Sequence, residues 1–455
     1  MSNNTSEYPI IIVGAGITGL ALGFLLKQEK IPFIILEKKQ RSGGIILSHE
    51  QDGYFFDIGP HSAVLDTATE NFLEQIGIKN EILFPETASG RRFILRDNNL
   101  HELKPHPINF IATSLLSAKG KIRLFAEPFI PKKKNNDEES LHHFIERRLG
   151  NEAADYLLNP FIAGIYAGNP KRLSLQAVFP KLAEMEQQHG SIIKALQHYK
   201  KENPNAQERK IFSFKKGLHQ LTQQLKNILA NHLVEDIEVT EINKFQNSFQ
   251  LKAHQQKQIK NFQTEKIVFT APAYHTSQIV SSLSSQISSL LSKVHYPQVL
   301  QLSVGYDKKQ IGVATEGFGF LVPEKENKTF LGAIFQSSIF PNRAPKGKAS
   351  FTLFIGGARN EELFSQYSKE QIIDKALKEF QQIMKIKGTP ETIFSYKWER
   401  AIPQYEMGYV NTLNTITAFE QQNKGIYLAG NYVSGVGVAD CIKKALQLKQ
   451  GIISA

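Results

Sequence analysis

The chain has 455 residues, one cysteine and a formal net charge of +11. That length carries two or three domains with a sizeable core, while a lone Cys441 excludes an intrachain disulfide and a thiol metal cluster and is compatible with a reducing compartment. The positive balance favours anionic partners, but no zinc spacing, aromatic-basic RNA signature or basic zipper accompanies it, so nucleic acid is set aside and an acidic small molecule and a membrane surface remain.

The first element is "IIIVGAGITGLALGFLL", residues 10–26. It carries no charge, but Lys27 to Lys30 end it before the ~20 residues that a membrane span needs. The leader "MSNNTSEYP" lacks the basic region of a signal peptide. Ile10 to Val13 are β-branched and read as a buried strand, and residues 17–29 read as a helix. Between them Gly14 permits a tight turn, Gly16 lets a pyrophosphate approach the backbone, and Gly19 lets helix and strand pack closely. The helix N-terminus adds free N–H groups and the positive end of a dipole. After Pro32, "FIILEKK" reads as a second buried strand ended by Glu37, which stands where a ribose hydroxyl needs an acceptor. An acceptor there disfavours a 2′-phosphate, which leaves NAD or FAD. The cofactor set at this end is Gly14, Ala15, Gly16, Thr18, Gly19, Glu37 and Lys38.

Next comes "KKQRSGGIILSHEQDGYFFDIGP". Arg41, Gly43 and Gly44 make a glycine-bearing turn beside a positive charge, and Gly59-Pro60 makes a second. They read either as surface loops or as a second contact to a long, extended cofactor. Residues 107–211 read as mainly helical, and Lys132 to Lys134, followed by "NNDEES", read as a solvated loop. "DIEVTEI" and "EKIVFTAPA" read as strands of the cofactor domain, with Val239 offering backbone contacts to an adenine. "VLQLSVGY", "FGFLVP", "KTFLGAIFQS" and "ASFTLFIGG" read as a mostly antiparallel sheet. At the end, "GIYLAGNYVSGVGVADCIKKALQLKQGI" repeats the order of strand, glycine-rich turn and helix. Gly430 closes the strand, and Gly437 and Val438 sit near the helix start, where N–H groups can stabilise electron density on a reduced isoalloxazine.

The fold class expected is α/β, in three parts. Residues 1–83, 212–272 and 398–455 form a discontinuous, Rossmann-like FAD-binding domain. Residues 84–106 and 273–397 form an α+β substrate domain, and 107–211 a helical domain. No fixed-period repeat is present.

The GxGxxG, Glu37 and RSGG opening, with "YLAGN…GVGVADCI" at the end, resembles the FAD-dependent amine oxidase and desaturase superfamily. Within it, "GIYAGNPKRLSLQAVFPKLAEMEQQHGSII", "GFGFLVP" and "IPQYEMGY" resemble the oxygen-dependent protoporphyrinogen oxidase family, over nearly the whole chain. The resemblance implies a cofactor, FAD, and a six-electron oxidation of a porphyrinogen to a porphyrin in haem biosynthesis. Three turnovers of the flavin would pass electrons to O₂ and release H₂O₂. Flavin N5 would take the hydride from a meso methylene, so no protein acid, base or metal is assigned. It implies that Arg92 pairs with a substrate propionate through its planar fork; read without the family, it is an exposed loop arginine. Arg91 is the competing choice, because neighbours on a strand point oppositely. Phe318, Gly319 and Leu321 match positions lining the macrocycle slot, Phe354 and Ile402 are further walls, and Gly168 matches a segment close to the flavin.

His61 stands where relatives often carry an arginine, in the flavin or pyrophosphate region, and Ile45 stands where many carry an arginine or an aromatic residue. Cys441 reads as packed, not nucleophilic, and His101, His106, His142 and His143 receive no role. "INFIATSLLSAKGKIRLFAEPF", with Lys119, Lys121 and Arg123 behind its apolar residues, fits an interfacial helix pair as well as a domain core. The implied partners are a porphyrinogen, O₂, a peripheral membrane surface and a second copy as homodimer. The implied location is cytoplasmic, on the inner face of the cell membrane. Protoporphyrinogen IX is the leading substrate and coproporphyrinogen III its rival, differing in two against four carboxylates. Amine or carotenoid oxidation lacks a convincing aromatic partner for Tyr432, and a non-catalytic porphyrin carrier leaves the cofactor and slot motifs without use.

Overall fold

The run Ile10–Val13 is the middle strand of a five-stranded parallel sheet. The structure, a computed structural model, describes residues 5–103, 113–135, 137–203 and 210–454, so His106 and residues 108–112 of the expected helix pair lie outside the described residues. The strand order is Leu233–Val234, Phe33–Leu36, Ile10–Val13, Lys266–Phe269 and Ile426–Leu428. All residues of Ile10–Val13 and Phe33–Leu36 are buried, as continuous apolar runs require in a sheet covered on both faces. Helix Ile17–Gln28, apolar nearly all round, packs on one face of this sheet and against the C-terminal helix Val438–Ser454. The two ends of the chain thereby build one layer.

"DIEVTEI" does not join the parallel sheet. Glu238–Phe245 opens an antiparallel meander with Ser248–Gln255 and Gln258–Thr264, and Thr5–Glu7 adds a parallel edge. The substrate-side sheet has seven strands, in the order Thr392–Trp398, Val299–Asp307, Lys348–Gly356, Phe330–Ile334, Gly319–Leu321, Arg92–Arg96 and Asn99–Glu102. Every pair is antiparallel except Gly319–Leu321 with Arg92–Arg96. One face carries Leu300, Leu302, Phe320, Phe351 and Leu353 and packs on helix Lys369–Met384 through Ile372, Ala376 and Phe380. The other face carries the candidate site.

Helices Ala118–Phe125, Leu141–Leu149, Asn159–Tyr166, Pro180–His189 and Ile192–Glu202 follow one another in the middle of the chain. Arg148 and Glu127, both fully buried, form its central ion pair, and Glu127 also accepts from the N–H groups of Ile192 and Ile193. Of the expected interfacial pair, Ala118–Phe125 is a helix, and it buries none of its residues. No described helix is long and apolar enough to cross a membrane.

Candidate functional site: a glycine cradle beside a sheet-floored slot

The three opening glycines are needed for different reasons. Gly14 has φ +108°, and a Cβ there would lie 2.9 Å from the Ala271 nitrogen. A Cβ on Gly19 would lie 2.1 Å from the Gly14 oxygen. A Cβ on Gly16 would meet nothing within 4 Å; that open side is where a ligand can touch the backbone. Glu37, nearly buried, accepts from the Ala15 N–H at 2.7 Å and the Lys39 N–H at 2.9 Å, so its carboxylate is held at the mouth of the turn. Lys38 points outward to Glu238, at 2.8 Å. Val239, buried, follows Ile237, whose N–H donates to the Glu37 carbonyl at 2.9 Å. Thr18 is buried in the first helical turn, and the neighbouring Cys441 thiol is buried and pushed up to about 11 by burial, unsuited to nucleophilic work.

The second turn closes on the first. The Gly43 N–H donates to the Ala15 carbonyl at 2.8 Å, and a Cβ on Gly44 (φ +62°) would stand 3.1 Å from Gly16 Cα. Arg41 Nη1 is buried with no partner among the described residues. At Gly59-Pro60, Gly59 (φ +91°) presses on the Ile45 carbonyl, which ties this turn to the RSGG turn. Beyond it His61 is buried, with Nδ1 accepting from Gln336 Nε2 at 2.7 Å and the ring edge-on to Phe354. The neutral ring then carries its proton on Nε2, which has no partner among the described residues. At the C-terminal end Gly430 caps the short helix Asn431–Ser434, and Gly437 and Val438 open the last helix, the Gly437 N–H reaching Asp440 at 3.2 Å. The open side of Gly16, together with buried Arg41 Nη1, His61 Nε2 and Ser434 Oγ lacking partners, fits an extended, hydrogen-bonding cofactor.

Burial, and then the charge of Arg343, pulls the His61 imidazole down to about 3. Its folded value lies below its unfolded one, so stability is intact above about pH 6.5 and is lost as pH falls toward 3, because only the unfolded chain takes the proton. His61→Asn is expected to flatten the acid limb of a melting-temperature profile between pH 6.5 and 4.5. An unchanged limb would place the acid sensitivity elsewhere.

The second face of the seven-stranded sheet carries the residues expected to line the macrocycle slot. Leu321, Gly332, Phe354 and Gln301 stand in one row across four strands, and Arg92, Gly319 and Ile334 in another. Gly319 and Gly332 carry no side chains on this face, and a Cβ on Gly332 would stand 3.2 Å from Leu321 Cδ2, so Leu321 takes up the space above it. Helix Asn159–Tyr166 covers this face: Gly164 sits against Leu321, and Ala163 and Ala167 join Val299 and Leu331 in a cluster with Phe354 and Ile402 packed on it. Gly168 lies where a Cβ would be 2.7 Å from Gln404 Oε1, and Gln404 ties this loop to "IPQY" through the Tyr166 and Ile402 carbonyls. The two arginines differ. Arg91 is paired with Glu102 at 2.9 Å, whereas Arg92 is exposed, with its guanidinium 5.3 Å from the Phe318 ring centroid.

Three contributors were not read from the sequence. Thr270 Oγ1 donates to the Gly14 carbonyl at 2.7 Å; the "FTAPA" that follows a strand was the available signal. Tyr405 spans the C-terminal turn, its hydroxyl donating to the Asn431 carbonyl and accepting from the Gly435 N–H at 3.0 Å. Gln336 orients His61 from 275 residues away, and no local pattern marks it.

The family described as flavin containing amine oxidoreductase matches residues 17–447. A chloroplastic protoporphyrinogen oxidase of Nicotiana tabacum is 30% identical, over 97% of this chain and 85% of that protein. A coproporphyrinogen III oxidase of Bacillus subtilis is 26% identical, over 95% of each. Among solved structures, one from Exiguobacterium sp. 255-15 superposes with a TM-score of 0.82 at 22% identity, covering 99% of this chain and 100% of that one. A putrescine oxidase superposes at 0.70 and 14%, covering 99% and 100%. The chain has the mixed α/β fold of this group; it belongs to the family of flavin-containing amine oxidoreductases and is an FAD-dependent oxidoreductase.

Proposed function

We propose that the chain oxidises protoporphyrinogen IX to protoporphyrin IX in haem biosynthesis, with O₂ as acceptor and H₂O₂ as by-product. The observation that carries this is the sheet face on which Gly319, Leu321 and Phe354 stand beside Arg92, which is exposed and has no carboxylate partner among the described residues. A flat apolar substrate with carboxylates on one edge fits that shape and charge. FAD, when bound, supplies the two-electron acceptor, used three times for the six electrons removed. Glu37 holds the ribose, Gly16 and Gly44 admit the pyrophosphate, and the Gly437-Val438 turn faces the isoalloxazine. Arg92 anchors a propionate and the slot walls exclude water. Coproporphyrinogen III is the second reading, favoured by the coproporphyrinogen III oxidase relative.

Anaerobic mixing tests the reaction: porphyrinogen should bleach the flavin absorbance and porphyrin fluorescence should rise. Binding without bleaching would make the chain a carrier, and bleaching by amines alone would move it to another branch. For Arg92, Arg92→Ala should raise KM and spare kcat, because a carboxylate remote from the reacting carbon is bound alike in ground and transition states. The loss should be about 1–3 kcal/mol in kcat/KM. Arg92→Lys should recover part of it, and Arg91→Ala, which breaks an exposed pair, should behave like the parent. A larger KM effect from Arg91→Ala would transfer the anchor to that residue.

We also propose that the chain rests on a membrane surface through helix Ala118–Phe125 and the turn after it. Ile122 and Phe129 are 72% and 86% exposed there, beside Lys119 and Lys121.

A further inference from the structure

A second arginine stands at the opposite end of the slot from Arg92. Gly356 ends a strand, and Gly357 (φ +73°) turns the chain so tightly against Ala167 that a Cβ would lie 2.5 Å from the Ala167 oxygen. The Ala358 N–H donates to that same oxygen at 2.7 Å. Arg359 is thereby aimed across the sheet at the far end of strand Gly319–Leu321. Its Nη2 donates to the Val322 carbonyl at 3.1 Å and its Nη1 to Asn159 Oδ1, the first residue of the helix that covers the slot. Its Nε is buried with no partner among the described residues.

Among the described residues no carboxylate is hydrogen-bonded to this guanidinium. The acid whose charge it feels, Glu324, is taken up by Asn159 Nδ2 at 3.2 Å and by Lys171 at 3.6 Å. Burial pulls Arg359 down to about 10, an unusual depression for a guanidinium. Arg359 is partly exposed, and its nearest acid, Glu324, is shared with Asn159 and Lys171. Arg92 stands in register with Gly319, and Arg359 holds the carbonyl of Val322. Three residues at ~3.3 Å each put these two levels ~10 Å apart along one strand, with Leu321 and its glycine-lined floor between them.

We propose that Arg359 is a second carboxylate anchor of the slot, which lets the chain hold a porphyrinogen bearing propionates on two opposite edges, the pattern of coproporphyrinogen III. The proposal rests on the porphyrinogen reading above. Protoporphyrinogen IX, with both propionates on one edge, engages Arg92 and presents vinyl groups to Arg359. A four-carboxylate substrate engages both arginines and gives the Arg359 guanidinium a carboxylate to hold. Arg359 is thus a specificity residue: it discriminates between substrates whose reacting carbons are the same.

The test uses the FAD-loaded full chain, with Arg359→Met and Arg359→Lys. KM is measured for coproporphyrinogen III and protoporphyrinogen IX, and Kd for the two porphyrins by fluorescence quenching. Arg359→Met should raise the coproporphyrinogen KM and the coproporphyrin Kd about tenfold or more, the scale of a lost charge-assisted hydrogen bond. The protoporphyrin values should move less than about threefold, within ordinary surface-substitution effects. Arg359→Lys should recover part of the loss. Equal weakening for both porphyrins, or none for either, overturns the anchor. Should the parent bind both porphyrins but oxidise neither porphyrinogen, with Arg359→Met still selective in Kd, the anchor stands and the proposed reaction falls. Should the parent bind neither porphyrin, both fall.

Discussion

Gly19→Ala is expected to yield a colourless, destabilised protein. The added methyl would stand 2.1 Å from the Gly14 oxygen and 2.7 Å from Thr270 Oγ1, and neither can retreat. The Gly14 N–H is bonded to the Leu36 carbonyl at 2.8 Å, and its oxygen is gripped by Thr270 at 2.7 Å. Helix Ile17–Gln28 must therefore lift from the strand, at a cost of about 1–3 kcal/mol or more for overpacking. The helix N-terminus, proposed above to face the pyrophosphate, moves with it. Gly16→Ala provides the contrast. Nothing lies within 4 Å of its Cβ, so it should melt like the ligand-free parent yet retain FAD poorly. Thermal unfolding and FAD titration separate the two. Equal behaviour of the variants in both measurements would show that the glycines do not divide packing from ligand approach.

Arg343→Met should cost about 3–5 kcal/mol, the range for stranding one partner of a buried ion pair. Arg343 is wholly buried, its Nε 3.1 Å from Asp57 Oδ2, with Nη1 on the Lys215 carbonyl and Nη2 on the Phe214 carbonyl and Ser213 Oγ. Phe55 and Phe340 sandwich it. The pair lies two residues before the Gly59-Pro60 turn, so it braces the segment that presents His61. Burial holds the Asp57 carboxyl up at about 6 even beside Arg343, and removing the arginine raises it further. In the variant the folded chain then binds a proton that the unfolded chain releases, so its stability falls as pH rises through that window. Denaturant unfolding should show a larger deficit at pH 8 than at pH 5. Adding Asp57→Asn should recover part of it by removing the stranded charge. A pH-independent deficit with no recovery would assign the loss to packing of the guanidinium between its two phenyl rings.

The elements nearest the cofactor were legible because their signals are local. The β-branched run Ile10 to Val13, the glycines Gly14, Gly16 and Gly19 and an apolar helix follow closely on one another, and the strand Ile10–Val13 and helix Ile17–Gln28 follow from period and punctuation alone. The C-terminal helix Val438–Ser454 starts at the residue expected from its glycine-rich turn. Four strands of the substrate-side sheet were equally readable, since apolar runs and turn residues mark them separately, whereas Asn99–Glu102 and Thr392–Trp398 were not read. The order of the sheet was not readable. Gly319–Leu321 pairs in parallel with Arg92–Arg96, more than 200 residues earlier, and nothing in either stretch names the other.

The same limit separates the arginines. In "GRRFIL" the two are equivalent as letters; Glu102, in the adjacent strand, occupies Arg91 and leaves Arg92 over Phe318. Arg359 in "GGARN" carries no local mark at all. Only the crossing of three segments, Asn159, Val322 and Gly357, places its guanidinium beyond the end of strand Gly319–Leu321. Local sequence sets backbone conformation, because sterics and hydrogen bonds act over a few residues. Which charges end up paired, orphaned or aimed at a ligand depends on tertiary packing, which brings together groups that the chain separates by hundreds of residues.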